Sequence, residues 1–520
     1  MSSTNPTFPR PGVKHGKRIL TSVIEQRANS KDDVWVSVPM DETNLSLGFK
    51  DITVWHFNNA ANHAAHWLNQ NLSASSSKSC ALPMPVLRIF VIPSWLLRQP
   101  RWYFLRHWSL QRPSQRFLRR KVALFISDLR KWLSRWLEYY KISASHIQTI
   151  TVPPLEQFLN ETEATSVNYS KTWEEEQDDP WLVFHTSGTT GNPKPITYSH
   201  YMMAMGDRAA SLPDIEQSHI HQLAEKRWYT PLPSLHLVGM PLMLSATTLA
   251  HMRAVIGPTG PPTPETVAQV IKYGHVEGAL LPPVLIDALC LTSDGLEALK
   301  GLTYIHYAGA PLSAKSGELL APHVQLVPSV GSTECGGYFT VIHGKPDTWD
   351  YLSFQKHTGA KFELRANKLY ELVFVRDPSC KMQQIFKVYP ILNRFETNDL
   401  WLEHPTEKRL WKIIGGADDY VCFSHGEGIH ASFLEPEITA HPNVKNASWK
   451  TQNGSRETLL EGLQPYIEKF NARCHQSVQV SLDKVIIFSK QKPFLMTSKA
   501  SVARLQTLRL YEDEIAALFP

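Results

Sequence analysis

Cysteine is scarce in this 520-residue chain and never falls in a CxxC pair: Cys80, Cys290, Cys335, Cys380, Cys422 and Cys474 are scattered. That spacing argues against a cysteine-held metal and against a disulfide frame, so reduced thiols in a cytoplasmic protein are expected. The opening MSSTNPTFPRPGVKHGKRIL lacks an apolar stretch of signal-peptide length. Residues 1–16 therefore read as a flexible tail. A membrane span is missing too, because Pro83, Pro85, Arg88 and Pro93 interrupt the long apolar stretch, and spanning needs roughly 20 nearly uncharged residues. No internal repeat or long low-complexity linker occurs.

Glycine is absent from Cys80 to Tyr140, although the whole chain has 26. The same segment holds five tryptophans, ten Arg and two Lys against Asp128 and Glu138, a local +10 inside a chain of net +5. The basicity is therefore one segment's property. Arginine with interleaved aromatics suits single-stranded nucleic acid or an anionic membrane surface. The expectation is nevertheless no nucleic-acid partner, because two other readings compete: helices with solvated arginines, and a stretch of foreign text from a misread exon boundary or local frameshift, restored by about Glu138. Ten arginines cannot be buried without partners.

The remainder has the composition of a globular enzyme, with 42% hydrophobic residues and room for two or more domains. Arg18 to Ala28 has helical apolar spacing. Asp51 to Leu72 opens like a strand and continues as an amphipathic helix with Phe57, Ala61, Ala64, Ala65 and Leu68 inward. Short apolar runs, WLVFH, GALLPPV, LTYIHYAG and VQLVPSVGST, end in glycine, proline or hydroxyl-rich turns. Such runs are expected to be buried strands feeding loops. Strands alternating with helices predict an α/β fold with a mainly parallel sheet, whose ligands sit beyond the strands' carboxyl ends.

One loop is rich in donors. In HTSGTTGNPK, His185 to Lys194, Gly188 and Gly191 let backbone amides turn inward, Ser187, Thr189 and Thr190 supply hydroxyls, and Lys194 a cation. Donors without a carboxylate suit an anion, and the spacing is not that of the Walker loop. A generic loop of Gly and Thr is often a plain surface turn, but the full string is more specific. It resembles the phosphate-binding signature of the adenylate-forming superfamily of acyl-CoA ligases, luciferases and adenylation domains of nonribosomal peptide synthetases. His185, Thr186 and the rest of the string are then candidate nucleotide-binding residues.

GSTECGGY, Gly331 to Tyr338, is similar to a second motif of that family. The resemblance implies that Thr333 contacts the α-phosphate and is catalytic, that Ser332 beside it is nucleotide-binding, and that Glu334 holds Mg2+. A carboxylate is a hard oxygen ligand suited to that ion. YAGAPLS, Tyr307 to Ser313, looks like the adenine-packing turn, with Gly309, Ala310 and Pro311. PLPSLHLVGM, Pro231 to Met240, places His236 at the acyl pocket. In NDLW, Asp399 matches the aspartate that binds the ribose hydroxyls.

The resemblance covers about residues 17 to 79 and 141 to 520, stops over the basic segment, and is greatest for adenylation domains of fungal peptide-synthetase-like enzymes and carboxylic acid reductases. It implies a large N-terminal core over 17–414, with 80–140 anomalous, and a small mobile C-terminal α+β subdomain over 415–520 that pivots at Asp418. Two departures stand out. Gly416 occupies the arginine position of the G-R-x-D-D hinge pattern, and KASVAR puts Ser501 in the register of the C-terminal lysine, which leaves Lys499 as the catalytic candidate. The implied chemistry is ATP-dependent activation of a carboxylic acid to an acyl adenylate with Mg2+, then transfer to a thiol of CoA or carrier-protein phosphopantetheine, in fungal secondary metabolism. With Pro520 straight after the C-terminal subdomain, the thiol or carrier protein is expected in trans. The alternatives are a fragment of an adenylation–thiolation–reductase enzyme and a degenerate ATP-binding homologue.

Overall fold

A computed structural model describes residues 8–10, 12–71, 79–81, 103–105, 122–126, 148–151, 153, 157–167, 169–186, 194–232, 234, 236–366, 368–416, 420–422, 428–430, 444–445, 448–449, 456–472, 479–486, 492–493, 507 and 510–518. The chain divides into two compact units. The first comprises Met1–Thr186, Pro195–Ala360 and Phe374–Phe395; the second comprises Ser187–Lys194, Lys361–Val373 and Glu396–Pro520.

The first unit begins with helix α1 (Leu20–Arg27), strands β1 (Val34–Pro39) and β2 (Phe49–Thr53), and helix α2 (Val54–Asn71). In α2 the expected residues Phe57, Ala61, Ala64, Ala65 and Leu68 are buried, because apolar positions recur at helical spacing. Phe57 stacks on Trp35 of β1 with ring centroids 3.8 Å apart. Burying each of these rings stabilises the unit by about 1.5–3 kcal/mol.

Part of the segment expected as a tail is held in place. Arg10 pairs with Glu225, His15 Nδ1 lies 2.7 Å from Asp207, and the backbone N–H of Gly16 donates to Asp207 at 2.6 Å.

A six-stranded sheet follows, built from β3 (Ser79–Ala81), β4 (Tyr103–Leu105), β5 (Val122–Ile126), β6 (Gln148–Thr151), β7 (Pro180–Thr186) and β8 (Lys194–Ser199) in the order β6-β5-β3-β4-β7-β8. Three of these strands lie in or at the edge of the basic, glycine-free segment, and they pair in parallel with one another and with β7. The runs YFL and VALFI within it are β-branched and aromatic enough to sit in a sheet. Its arginines lie outside the described residues.

The other large sheet adds β9 (Arg227–Tyr229), β10 (Arg253–Val255), β11 (Gly278–Leu281), β12 (Tyr304–Tyr307) and β13 (Gln325–Pro328) to β1 and β2, in the order β13-β12-β11-β9-β10-β1-β2. All neighbours are parallel except β1 with β2. The expected strands in GALLPPV, LTYIHYAG and VQLVPSVGST are therefore present, and WLVFH forms the body of β7. The Trp228 indole packs directly on Gly278, where a Cβ would meet its ring at 2.6 Å.

In the second unit, most of β18 (Ala360–Ala366), β19 (Leu369–Val375), β20 (Arg394–Glu403) and β21 (Trp411–Gly416) form a four-stranded sheet in that order. Between β13 and these strands lie two short hairpins, β14 (Gly331–Ser332) with β15 (Gly336–Gly337) and β16 (Thr340–Val341) with β17 (Ser353–Phe354). Phe362 stacks on Trp411 at 3.6 Å and meets Trp401 edge-on. Residue 415 lies in this unit on β21, which is bonded to β20.

Candidate functional site

Parallel strands bring their carboxyl ends to one edge, and three of the sequence-selected segments leave that edge of the seven-stranded sheet. After β9 comes the segment with His236, after β12 the turn Gly309–Pro311, and after β13 the hairpin with Ser332, Thr333 and Glu334. Gly309 has φ +99, and nothing lies within 4 Å of the position a Cβ would take. Gly309, Ala310 and Pro311 are exposed, which leaves a flat, open backbone beside β12.

The β14–β15 hairpin is tight because glycine allows it. Gly331 pairs with Gly337 and Ser332 with Gly336, and a Cβ on Gly331 would overlap the Gly336 carbonyl. Ser332 Oγ accepts the backbone N–H of Cys335 at 3.1 Å, which closes the turn over Thr333 and Glu334. Both residues are half-buried.

Tyr198 reaches this turn from β8. Its hydroxyl donates to the Thr333 carbonyl at 2.9 Å, and its ring meets Phe184 of β7 edge-on. Burial, with Cys335 and Glu334 nearby, pushes the Tyr198 phenol well above its ordinary range. Burial and the charge of Glu334 also raise Tyr389. Both phenols therefore remain protonated donors near the Glu334 carboxylate.

His236 is half-buried, and its Nδ1 accepts the backbone N–H of Val238 at 3.3 Å. His185 and Thr186 are the last two residues of β7, and Lys194 is the first of β8. Ser187, Gly188, Thr189, Thr190 and Gly191 lie outside the described residues, as do Asp418 and Lys499. Asp399 belongs to the second unit, on β20, where it pairs across the sheet with Gly416. Its backbone N–H donates to Thr397 Oγ1 at 3.1 Å.

Sequence reading passed over Tyr198, His219 and His306. The alternation of buried Ile196 and Tyr198 with exposed Pro195 and Thr197 was the available signal for the tyrosine. No spacing rule joins the two histidines. Among the described residues there is no group of three or more His, Cys, Asp or Glu able to hold a metal, and no helix long and apolar enough to cross a membrane. Glu334 would hold Mg2+ only together with the oxygens of a bound phosphate, which is how that ion is commonly held.

Comparisons with known proteins bear on the family and the fold. The model of the AMP-binding enzyme family matches residues 133–363, and that of the AMP-binding enzyme C-terminal domain matches 418–520. A carboxylic acid reductase of Neurospora crassa is 26% identical over 97% of this chain and 51% of its own length. An adenylate-forming reductase of Serpula lacrymans is 25% identical over 65% of this chain and 33% of its own. The chain thus spans about half or less of the length of these relatives. The crystal structure of ATP-bound MatB from Rhodopseudomonas palustris shares the fold, with a TM-score of 0.67, 15% identity, and coverage of 95% of this chain and 99% of that one. The two family models together take in more than half of the chain, and the sheets, turns and hairpin are those of an α/β enzyme: this chain belongs to the adenylate-forming, AMP-binding enzyme family.

Proposed function

We propose that this chain activates a carboxylic acid with ATP. The supporting observation is that the Gly309–Pro311 turn and the Ser332–Glu334 hairpin leave adjacent parallel strands at one sheet edge, β12 and β13. One offers a flat backbone for a planar base; the other offers hydroxyls and one carboxylate. These donors fit a nucleotide phosphate with its magnesium.

A substrate carboxylate oxygen attacks the α-phosphorus of ATP, a P–O bond forms, the bond to the β-phosphate oxygen breaks, and pyrophosphate leaves. Thr333 donates to the α-phosphate, and Glu334 would hold Mg2+, whose charge would offset that of the leaving group. Gly309, Ala310 and Pro311 pack the base, Asp399 accepts from the ribose hydroxyls, and the 185–194 string cradles the outer phosphates. His236 borders the acid. Lys499 supplies a cation to the carboxylate and α-phosphate, with Asp418 as the pivot of residues 415–520. A thiolate of CoA or carrier-protein phosphopantetheine then attacks the acyl carbon, and AMP leaves. Fungal secondary metabolism is the setting we propose.

ATP–pyrophosphate exchange with a panel of aryl, amino and fatty acids tests the proposal. Exchange dependent on one acid and reduced at least 100-fold in Lys499→Ala is expected, the size of a lost transition-state charge contact. ATP binding without exchange for any acid would favour the second reading, a degenerate ATP-binding homologue, which Gly416 and the displaced lysine motivate.

A further inference from the structure

Between α-helical and sheet residues of the first unit lies a polar chain that the proposed reaction does not use. His219, on the short helix α3 (His219–Leu223), has its Nδ1 3.2 Å from Nδ1 of His306 on β12 and its Nε2 3.0 Å from Thr340 Oγ1. His306 Nε2 lies 2.6 Å from Gln222 Oε1, and Gln222 Nε2 donates to Gln325 Oε1 at 2.9 Å. Ser329 Oγ stands 3.5 Å from His219 Nδ1. His306, Gln222 and Thr340 are buried to within 3%.

These contacts allow one proton arrangement. With Gln222 Oε1 accepting, His306 must carry its proton on Nε2, so its Nδ1 is a lone pair. His219 then donates from Nδ1, and Thr340 donates to His219 Nε2. The chain runs one way, from Thr340 through both imidazoles and Gln222 to Gln325. A second proton on His306 would set two N–H groups against each other at 3.2 Å. Every named partner is uncharged, and Trp228 covers His306 edge-on at 4.7 Å. Burial pushes His219 down to about 4, and burial, with His219 beside it, holds His306 well below the ordinary imidazole range.

The chain's members flank the hairpin on both sides. Ser329 lies two residues before Gly331, its backbone N–H bonded to the Tyr307 carbonyl at 2.8 Å. Thr340 lies three residues after Gly337. His306 lies three residues before Gly309. We propose that His219 and His306 are positioning residues: as a neutral, one-directional hydrogen-bond chain they clamp the two flanks of the 331–337 hairpin to β12, and so hold Thr333 and Glu334 in place. The clamp follows from the contacts alone; its effect on catalysis rests on the ATP-dependent reaction proposed above.

Cys335, buried at 6% exposure in the turn, reports on the hairpin without reference to activity. Alkylation of the full chain by iodoacetamide, read peptide by peptide, gives its rate beside those of Cys290 and Cys380. In His219→Leu, Cys335 is expected to label about tenfold faster while the other two keep their rates. His219→Gln retains a donor and an acceptor and is expected to stay within about threefold of the parent. In pyrophosphate exchange, His219→Leu is expected to raise KM for ATP about tenfold with a smaller change in kcat, and His219→Gln to restore it. Should His219→Leu unfold, all three cysteines will label together, and Thr340→Val, which removes one hydroxyl, decides in its place by the same selective rise at Cys335. Unchanged Cys335 labelling in a folded His219→Leu or in Thr340→Val, or equal impairment by Leu and Gln, overturns the clamp. Absence of exchange in the parent protein would count against the proposed reaction, whereas the cysteine rates would still decide the clamp.

Discussion

Asp399 lies directly across from Gly416 in the antiparallel pairing of β20 with β21, and Leu400 lies across from Gly415. The residue proposed to bind ribose thus faces a position without a side chain, the one that takes arginine in the G-R-x-D-D hinge pattern this sequence resembles. Gly416→Arg is expected to lower KM for ATP severalfold in pyrophosphate exchange, because a guanidinium there adds a charge-assisted donor for ribose or phosphate. Asp399→Ala is expected to raise KM by about tenfold or more. If neither substitution moves KM, the β20–β21 edge is not where the nucleotide binds.

Tyr198 and Thr333 make a second testable pair. Tyr198→Phe keeps the ring against Phe184 and removes only the donor to the Thr333 carbonyl. A stability loss of about 1 kcal/mol is expected from one neutral hydrogen bond, measurable by urea unfolding. A roughly fivefold drop in exchange should accompany it, since the turn carries Thr333. Full stability and full activity would show that the bond does not fix the turn.

Neighbouring glycines should respond differently. Gly336 has φ +71 and its Cβ position is filled by the Gln384 side chain, whereas Gly337 has open space. Gly336→Ala is expected to cost about 1–2 kcal/mol from the left-handed backbone alone. Gly337→Ala should change the melting temperature little. Equal effects would mean that the hairpin does not keep this geometry in solution.

Asp207 makes stability depend on acidity. Burial alone would raise its pKa, but hydrogen bonds from His15 and Arg18, the Arg18 charge and the Gly16 N–H outweigh it and hold the carboxyl below its usual range. A carboxyl depressed in the folded state contributes stability above its unfolded pKa of about 3.9 and loses it as pH falls through the lower folded value. Asp207→Asn, whose side chain replaces one that is fully buried, is expected to cost about 3 kcal/mol near neutrality. That difference should shrink below about pH 4, as read by urea unfolding across pH. A constant difference down to pH 2 would contradict the ion-pair origin.

Much of the fold was legible because it rests on local pattern. Helical spacing at Phe57, Ala61, Ala64 and Leu68, and apolar runs closed by glycine or proline, identified α2, β7, β11, β12 and β13. Composition misdirected attention at the basic segment, where charge hid short strands that pair in parallel with β7. Charge content reports on what a surface faces, and strand formation depends on backbone pairing that it does not encode.

The sequence by itself determined which residues are chemically able to act: the hydroxyls and carboxylate of Ser332, Thr333 and Glu334, the open glycine turn at Gly309, and the glycine that stands at 416. Only the tertiary structure decided how they are supported. Tyr198 meets Thr333 across 135 residues, and His219 meets His306 across 87. Such contacts come from parallel crossovers that bring distant strand ends to one edge, and no local periodicity records which buried polar side chains will find each other there.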